Sequence, residues 1–138
     1  MKLFAALGLA EGVAEAAEAA GFDTPTAIQE SAIPLLRRGN NVVVIGAPGS
    51  GARSAVLLAL IDRLIAEGAT APDDDEENAG RPRALVLTPT SDEAARAARA
   101  VSQLGAKLGA RGRSLDQPEA WPSVKHVWRL LWPWPSSQ

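Results

Sequence analysis

Apolar residues recur along much of the chain at the three- and four-residue spacing of amphipathic helices. Four helices are predicted on this basis, over about residues 11–20, 24–38, 55–66 and 90–108. Gly21 is an end signal for the first helix, and Thr24 with Pro25 is a start signal for the second. Thr90 is followed three residues later by Glu93, the spacing of a capping box, and opens the fourth helix.

Two short apolar runs between these helices are typical of buried strands. Asn41–Ile45 contains three valines and an isoleucine, and Ala84–Leu87 is similarly apolar, with no polar alternation in either run. Strand followed by helix, twice in succession, favours a parallel sheet with right-handed crossovers. The predicted fold class is therefore α/β. Two strands make an incomplete sheet, and we expect an open edge.

Length and composition narrow the function classes only slightly. The chain of 138 residues has room for one domain, and it has no cysteine for disulfide, metal or thiol chemistry. Its formal charge of −2 gives no bulk attraction for nucleic acid. No apolar run is long enough to cross a bilayer, so we expect a cytoplasmic protein without membrane contact.

The last part of the chain differs in kind from the rest. All four tryptophans and four prolines lie beyond residue 110, so the chain divides into residues 1–110 and a Trp/Pro-rich tail, 111–138. The tail is interpreted as a separate or disordered segment, or as a reading frame that has left its ancestral register. His126 has no companion residues for metal or nucleophilic chemistry there. The acidic run Asp73–Glu77 is interpreted as a solvated loop rather than as a metal site.

Residues 21–29 read Gly-Phe-Asp-Thr-Pro-Thr-Ala-Ile-Gln. A glutamine amide offers a donor and an acceptor to the edge of adenine, and an aromatic ring offers a face for stacking. The segment resembles the Q motif of DEAD-box RNA helicases, and Phe4, 17 positions before Gly21, resembles the isolated aromatic residue of that family. The resemblance implies that Phe22 packs against adenine, that Gln29 reads its edge, and that Thr26 and Phe4 support the pocket.

The second motif spans residues 46–53, Gly-Ala-Pro-Gly-Ser-Gly-Ala-Arg. In a phosphate loop, glycines let backbone amides converge on phosphates, a lysine reaches the outer phosphates, and a hydroxyl binds magnesium. The glycine frame is kept, but Ala52 stands at the lysine position and Arg53 at the hydroxyl position. A one-residue shift, with Arg53 as the lysine and Ser54 as the hydroxyl, moves alanines into glycine positions and is disfavoured. The candidate nucleotide-binding residues here are Gly46, Ala47, Pro48, Gly49, Ser50, Gly51, Ala52 and Arg53.

These substitutions bear directly on catalysis. The hydrogen bonds of a phosphate-loop lysine contribute about 1.5–3 kcal/mol each. The planar fork of Arg53 replaces neither a compact ammonium group nor a magnesium ligand. The resemblance therefore implies ATP or ADP as a weakly bound ligand, and we expect no Mg²⁺ and little or no ATP hydrolysis.

The third motif follows the second predicted strand. Pro89 and Thr90 resemble the start of helicase motif Ia, which in the family holds RNA phosphates at a helix N-terminus. Ser91 replaces the arginine of that motif, and Asp92 and Glu93 add negative charge. The resemblance implies RNA as a partner, with weakened phosphate contacts.

The resemblance covers about residues 3–108 and implies the opening part of a RecA-like (P-loop NTPase) domain, with its sheet incomplete on the C-terminal side. Three functions stay open at this point. The chain is a nucleotide-binding helicase fragment defective in hydrolysis and unwinding, a non-catalytic adenine-nucleotide or partner-binding regulatory module, or a domain that another chain completes. A protein partner is expected at the tail or at the open sheet edge.

Overall fold

The computed structural model describes residues 3–68, 83–110, 112 and 114. In chain order its elements are a short 3-10 turn and four α-helices: the turn Ala5–Leu7, α1 Glu11–Ala19, α2 Ala27–Arg37, α3 Ala52–Ala66 and α4 Ser91–Gly105. Helix α2 packs against α3, and α3 also contacts α1 and α4. Among the residues described, no helix combines the length and the apolar character needed to span a membrane.

The hydrophobic core lies where α1, α2 and α3 meet, and Leu104 near the end of α4 also belongs to it. Its largest buried side chains come from the chain start and from all three helices, and they are Phe4, Val13, Ile33, Leu58 and Ile61. Each side chain of this size contributes about 1.5–3 kcal/mol when it is removed from water. The helical periodicity of the sequence therefore accounts for the core, because each helix contributes one apolar face.

One buried carboxylate ties three of these elements together. Asp62, on α3, is only 3% exposed. Its Oδ1 accepts a 2.7 Å hydrogen bond from the backbone amide of Ala10, just before α1, and its Oδ2 accepts a 2.6 Å bond from Nε of Arg37, at the end of α2. The buried charge is thus paired and hydrogen-bonded, as burial requires.

The end of α1 determines where the aromatic residue of the Q motif lies. Gly21 has a φ of 88°, and its amide donates to the carbonyl of Glu18, while the amide of Phe22 donates to the carbonyl of Ala17. This pair of bonds is a Schellman motif, in which glycine is favoured because the left-handed conformation strains other residues. The predicted end of the first helix is confirmed to within one residue.

The predicted start of α2 is wrong by two residues. The helix is capped by Thr26 rather than by Thr24, and Pro25 precedes the helix. The side chain of Thr26 accepts from the amide of Gln29, and the side chain of Gln29 accepts from the amide of Thr26. Ala27, three residues after Thr24, has no side chain that could complete such a reciprocal box, so the start moves to Thr26.

The predicted α/β class, a partial RecA-like parallel sheet flanked by helices, is wrong for the described residues, which contain helices and no strand. Asn41–Ile45 and Ala84–Leu87 are segments without regular secondary structure and without ladder hydrogen bonds. Val43 and Ile45 are 86% and 87% exposed and Leu87 is 81% exposed, so neither segment is buried as a central strand would be. A strand needs a neighbour for its amides and carbonyls, and apolar composition alone does not provide one. The open sheet edge expected as a partner site is consequently absent from the described residues.

Several predicted features lie outside the described residues. They are the acidic run 73–77, His126, and the tail 111–138 apart from Gly112 and Ser114.

Candidate nucleotide-binding site

The glycine-rich loop leads directly into α3. Gly49 and Gly51 have φ values of 80° and 87°, and Gly51 is the N-cap of the helix, without a side-chain cap. Within the described part of the chain, the first α3 amide with a backbone acceptor is that of Ala55, which donates to the carbonyl of Gly51 at 2.9 Å. The amides before it are therefore available to an anion at the positive end of the helix dipole.

Two side chains of the Q motif hold this loop in place. The Thr26 hydroxyl donates to the carbonyl of Ser50 at 2.7 Å, and Nε2 of Gln29 lies 3.5 Å from the carbonyl of Gly51. A Cβ atom on Gly51 would lie 2.7 Å from Nε2 of Gln29 and 2.8 Å from Oγ1 of Thr26. The backbone approaches these side chains so closely that only glycine fits. The two sequence motifs thus form one structural unit.

The first glycine of the loop, Gly46, lies close to Ser50 of the same loop and to Ile28 of α2. A Cβ atom on Gly46 would lie 2.5 Å from Oγ of Ser50 and 2.4 Å from Cδ1 of Ile28. The Ser50 hydroxyl oxygen is buried and has no protein hydrogen-bond partner. A side chain at position 46 would therefore have to displace Ile28 or Ser50, although the φ of Gly46 is not in the left-handed region.

Gln29 is 2% exposed, and its carboxamide is engaged inside the protein. Its Oε1 accepts from the amide of Thr26 at 2.9 Å, while Nε2 donates to Oγ of Ser54 at 2.9 Å and to the carbonyl of Gly51. The sequence assigned this side chain to the adenine edge, and that role stays a prediction. In the structure, Gln29 caps a helix and braces the loop.

The two aromatic residues assigned to the adenine pocket contact each other. Phe4 is fully buried, and its ring meets that of Phe22 edge to face, with ring centroids 6.3 Å apart and an interplanar angle of 63°. Phe22 is half-buried. Edge-to-face contacts of this kind add about 0.5–1.5 kcal/mol beyond area burial. Phe4 therefore supports Phe22 from the core, and Phe22 keeps part of its ring accessible.

The substituted positions of the loop do not restore its lost chemistry. Ala52 brings no charge, and the guanidinium of Arg53 turns toward α4, where its Nη2 lies 3.6 Å from Oε2 of Glu93. Arg53 is more than half exposed, so this pair contributes about 0–1 kcal/mol. Arg53 is thus held toward a neighbouring carboxylate rather than over the loop.

The residues at the loop do not fit a magnesium ion. The hydroxyl position holds Arg53, and the adjacent hydroxyl of Ser54 donates to the carbonyl of Gly51 at 3.0 Å while accepting from Gln29. Across residues 3–68 and 83–110, no three His, Cys, Asp or Glu side chains gather as a metal site would require. We therefore assign no catalytic step to a metal at this loop.

The predicted RNA-facing residues lie at the exposed start of α4. Thr90 caps the helix, accepting from the amide of Glu93 at 3.3 Å, and Pro89 precedes it on the surface. The predicted capping box is only half formed, because the Glu93 side chain pairs with Arg53 instead of the Thr90 amide. The starts of α3 and α4 are thereby linked.

The structure adds Ser54 to the candidate set, a residue that sequence reasoning considered only as the hydroxyl of a shifted loop frame. Its position three residues after Gly51 is the one signal that the sequence offered, since a serine there can bond back to the carbonyl of the helix cap. Gln29 and Ser54, 25 residues apart in sequence, meet only in the folded chain.

The DEAD/DEAH box helicase family model matches residues 26–127 of the 138 in this chain. The match begins at Thr26 and includes the glycine-rich loop and the start of α4. The chain belongs to this family, and the resemblance drawn from its motifs is confirmed.

Individual relatives agree with this assignment. The chain is 41% identical over 116 residues to the human "Probable ATP-dependent RNA helicase DDX28", and 36% identical over 110 residues to "ATP-dependent rRNA helicase RRP3" of Pyricularia oryzae. It is 33% identical over 97 residues to "DEAD-box ATP-dependent RNA helicase 52A" of Oryza sativa subsp. japonica. These alignments cover 82%, 80% and 67% of this chain, but only 21%, 18% and 16% of the relatives. The chain therefore spans about a fifth of the length of these curated relatives.

Proposed function

We propose that this chain is a nucleotide-binding segment of a DEAD-box protein that holds the phosphates of ATP or ADP at residues 46–51 and is defective in ATP hydrolysis and unwinding. The observation that carries the proposal is the pair of contacts from Thr26 and Gln29 to the carbonyls of Ser50 and Gly51. These contacts tether the loop directly before the first amides of α3, which have no backbone acceptor among the described residues. A preformed set of amides at a helix N-terminus favours a phosphate group.

Loss of catalysis follows from the two substituted positions. A lysine at position 52 would supply charge-assisted bonds to the outer phosphates, and a hydroxyl at position 53 would help to hold a cation. Ala52 supplies neither, and Arg53 pairs with Glu93 on the surface. ATP should accordingly bind about 10- to 150-fold more weakly than it would with a lysine at position 52, a loss of about 1.5–3 kcal/mol in binding free energy.

RNA is the second proposed ligand, because the relatives above carry RNA or rRNA helicase in their names. Its proposed contact is the surface around Pro89 and Thr90, at the start of α4. Asp92 and Glu93 in the first turn oppose an approaching phosphate, so this contact should be weak and salt-dependent.

Calorimetric titration of the full chain with ADP tests the nucleotide proposal. The informative variant is Gly51→Ala, since its new Cβ would fall 2.7 Å from Nε2 of Gln29. The matched control is Gly68→Ala, at a glycine with φ of 67° whose Cβ would meet nothing within 4 Å. Both variants introduce a side chain at a positive φ, but only the first disturbs the loop.

We expect the unmodified chain and Gly68→Ala to bind ADP with similar affinity and Gly51→Ala to lose binding. Equal ADP binding by all three proteins would place the nucleotide elsewhere. Absence of ADP binding by the folded, unmodified chain would instead favour a partner-binding module without a nucleotide.

A further inference from the structure

Both donors of the Gln29 carboxamide face acceptors inside the protein, and the contact with Ser54 is the short one. Adenine presents N7, an acceptor, beside the N6 amino group, a donor, so a glutamine must offer one N–H and its oxygen together. The two Nε2 protons of Gln29 are directed to Oγ of Ser54 at 2.9 Å and to the carbonyl of Gly51 at 3.5 Å. Its Oε1 already accepts from the amide of Thr26.

We propose that Ser54 is a specificity-determining residue that holds Gln29 away from the base, so that this site binds nucleotide phosphates with little preference for adenine. This inference rests on the proposed nucleotide function and states its base selectivity. The shorter of the two Nε2 contacts is the one to Ser54, and that hydroxyl is itself fixed by its 3.0 Å bond to the carbonyl of Gly51.

Burial strengthens this assignment. Gln29 is 2% exposed, so a carboxamide proton that loses its acceptor has little access to water and leaves an unsatisfied buried donor. Removal of the Ser54 hydroxyl therefore destabilises the inward conformation of the Gln29 carboxamide. It favours a conformation in which the carboxamide turns outward and offers its N–H and its oxygen to N7 and N6 of adenine.

The test is a calorimetric comparison of ADP, GDP and inorganic pyrophosphate on the full chain and on two variants. Ser54→Ala removes the hydroxyl, and Ser54→Thr keeps it at the same position. We expect the unmodified chain and Ser54→Thr to bind ADP and GDP within about threefold of each other. Ser54→Ala should prefer ADP by about tenfold, within the roughly 5- to 150-fold range of a two-bond base contact.

The ratio of the ADP and GDP affinities distinguishes a specificity role of Ser54 from a structural one, because a merely structural role would weaken the binding of both nucleotides equally. Equal weakening in Ser54→Ala, or a preference of more than about threefold for ADP in the unmodified chain, would overturn the Ser54 assignment and leave the phosphate site intact. Failure of ADP, GDP and pyrophosphate alike to bind the unmodified chain would overturn the proposed function as well.

The assignment remains testable if Ser54→Ala does not fold. The unmodified chain alone must show the near-equal affinities. In its NMR spectrum, the side-chain amide protons of Gln29 should be protected from solvent exchange and should not shift on addition of ADP. Rapid exchange of these protons, or a shift produced by ADP and not by pyrophosphate, would show that Gln29 is open to the base.

Discussion

The hydroxyl of Thr26 has two structural roles, and its removal should affect both stability and nucleotide binding. It accepts from the amide of Gln29 as the cap of α2, and it donates to the carbonyl of Ser50 in the glycine-rich loop. Thr26→Ala removes both bonds. Thr26→Ser keeps the hydroxyl and is the conservative control.

The expected loss can be sized from these two bonds. Removal of a threonine cap lowers the free energy of unfolding by about 0.5–2 kcal/mol, and a hydrogen bond contributes about 0.5–1.5 kcal/mol. Because Thr26 is exposed, we expect a total of about 1–2.5 kcal/mol. A loop that loses its tether should also bind ADP several-fold more weakly, since 1.4 kcal/mol corresponds to a factor of ten.

Thr90 offers an internal comparison. It caps α4 through the same type of bond, to the amide of Glu93, but its hydroxyl does not contact the glycine-rich loop. Thr90→Ala should lower stability by about 0.5–2 kcal/mol and leave ADP affinity unchanged. Urea unfolding measures the first quantity and calorimetric titration the second. If Thr26→Ala and Thr90→Ala leave the same ADP affinity, the tether between the Q motif and the loop has no functional role.

Two further variants test the packing of the helices and the lost chemistry of the loop. Asp62→Ala should lower the free energy of unfolding by about 2–4 kcal/mol, measured by urea unfolding. The substitution removes the hydrogen-bond acceptor of the Ala10 amide and of the Arg37 guanidinium. This estimate is below the full cost of a broken buried pair, since the Arg37 side chain is 33% exposed. The double substitution Ala52→Lys with Arg53→Thr should strengthen ATP binding by about tenfold or more, measured by calorimetry.

The Asp62→Ala prediction has a matched control, and both predictions have a contrary outcome. Glu67→Ala breaks the exposed pair with Arg63 and should change stability by less than about 0.5 kcal/mol. A loss of stability from Asp62→Ala no larger than that from Glu67→Ala would show that the buried carboxylate does not join the helices. Unchanged ATP affinity in a well-folded Ala52→Lys, Arg53→Thr protein would contradict the assignment of positions 52 and 53.

Local signals predicted the helices because these signals act within a few residues. Gly21 ends α1 through its own left-handed conformation, and Thr90 starts α4 through a bond to the amide three residues later. The start of α2 was misplaced because Thr24-Pro25 is also a plausible local signal. The reciprocal bond between Thr26 and Gln29 decided between the two.

The strands were not predictable in the same way. Asn41–Ile45 can be buried as a strand only if a neighbouring segment pairs with it. The apolar composition of the run favours such pairing but does not provide the partner. In the described residues, the helices bury their own apolar faces against one another, and Val43 and Ile45 remain exposed. Periodicity therefore identified which residues form helices, but not whether the apolar runs between the helices pair as β-strands.

The site was predicted in its parts but not in its connections. The sequence named Thr26, Gln29 and the glycine-rich loop as ligand-binding residues, and the structure shows that they bind one another. The contacts of Ser54 with Gln29 and of Arg53 with Glu93 join residues 25 and 40 positions apart. No local pattern specifies such pairs, which depend on how α2, α3 and α4 pack.

A single ³¹P NMR experiment tests the central claim, which is that the loop holds phosphates without hydrolysing them. ATP is added to the full chain, and the β- and γ-phosphate signals are followed together with the signal of free phosphate. We predict that the ATP signals broaden or shift with the unmodified chain, that Gly51→Ala abolishes this change, and that free phosphate does not accumulate. Steady growth of the free phosphate signal with the unmodified chain, abolished by Gly51→Ala, would contradict it.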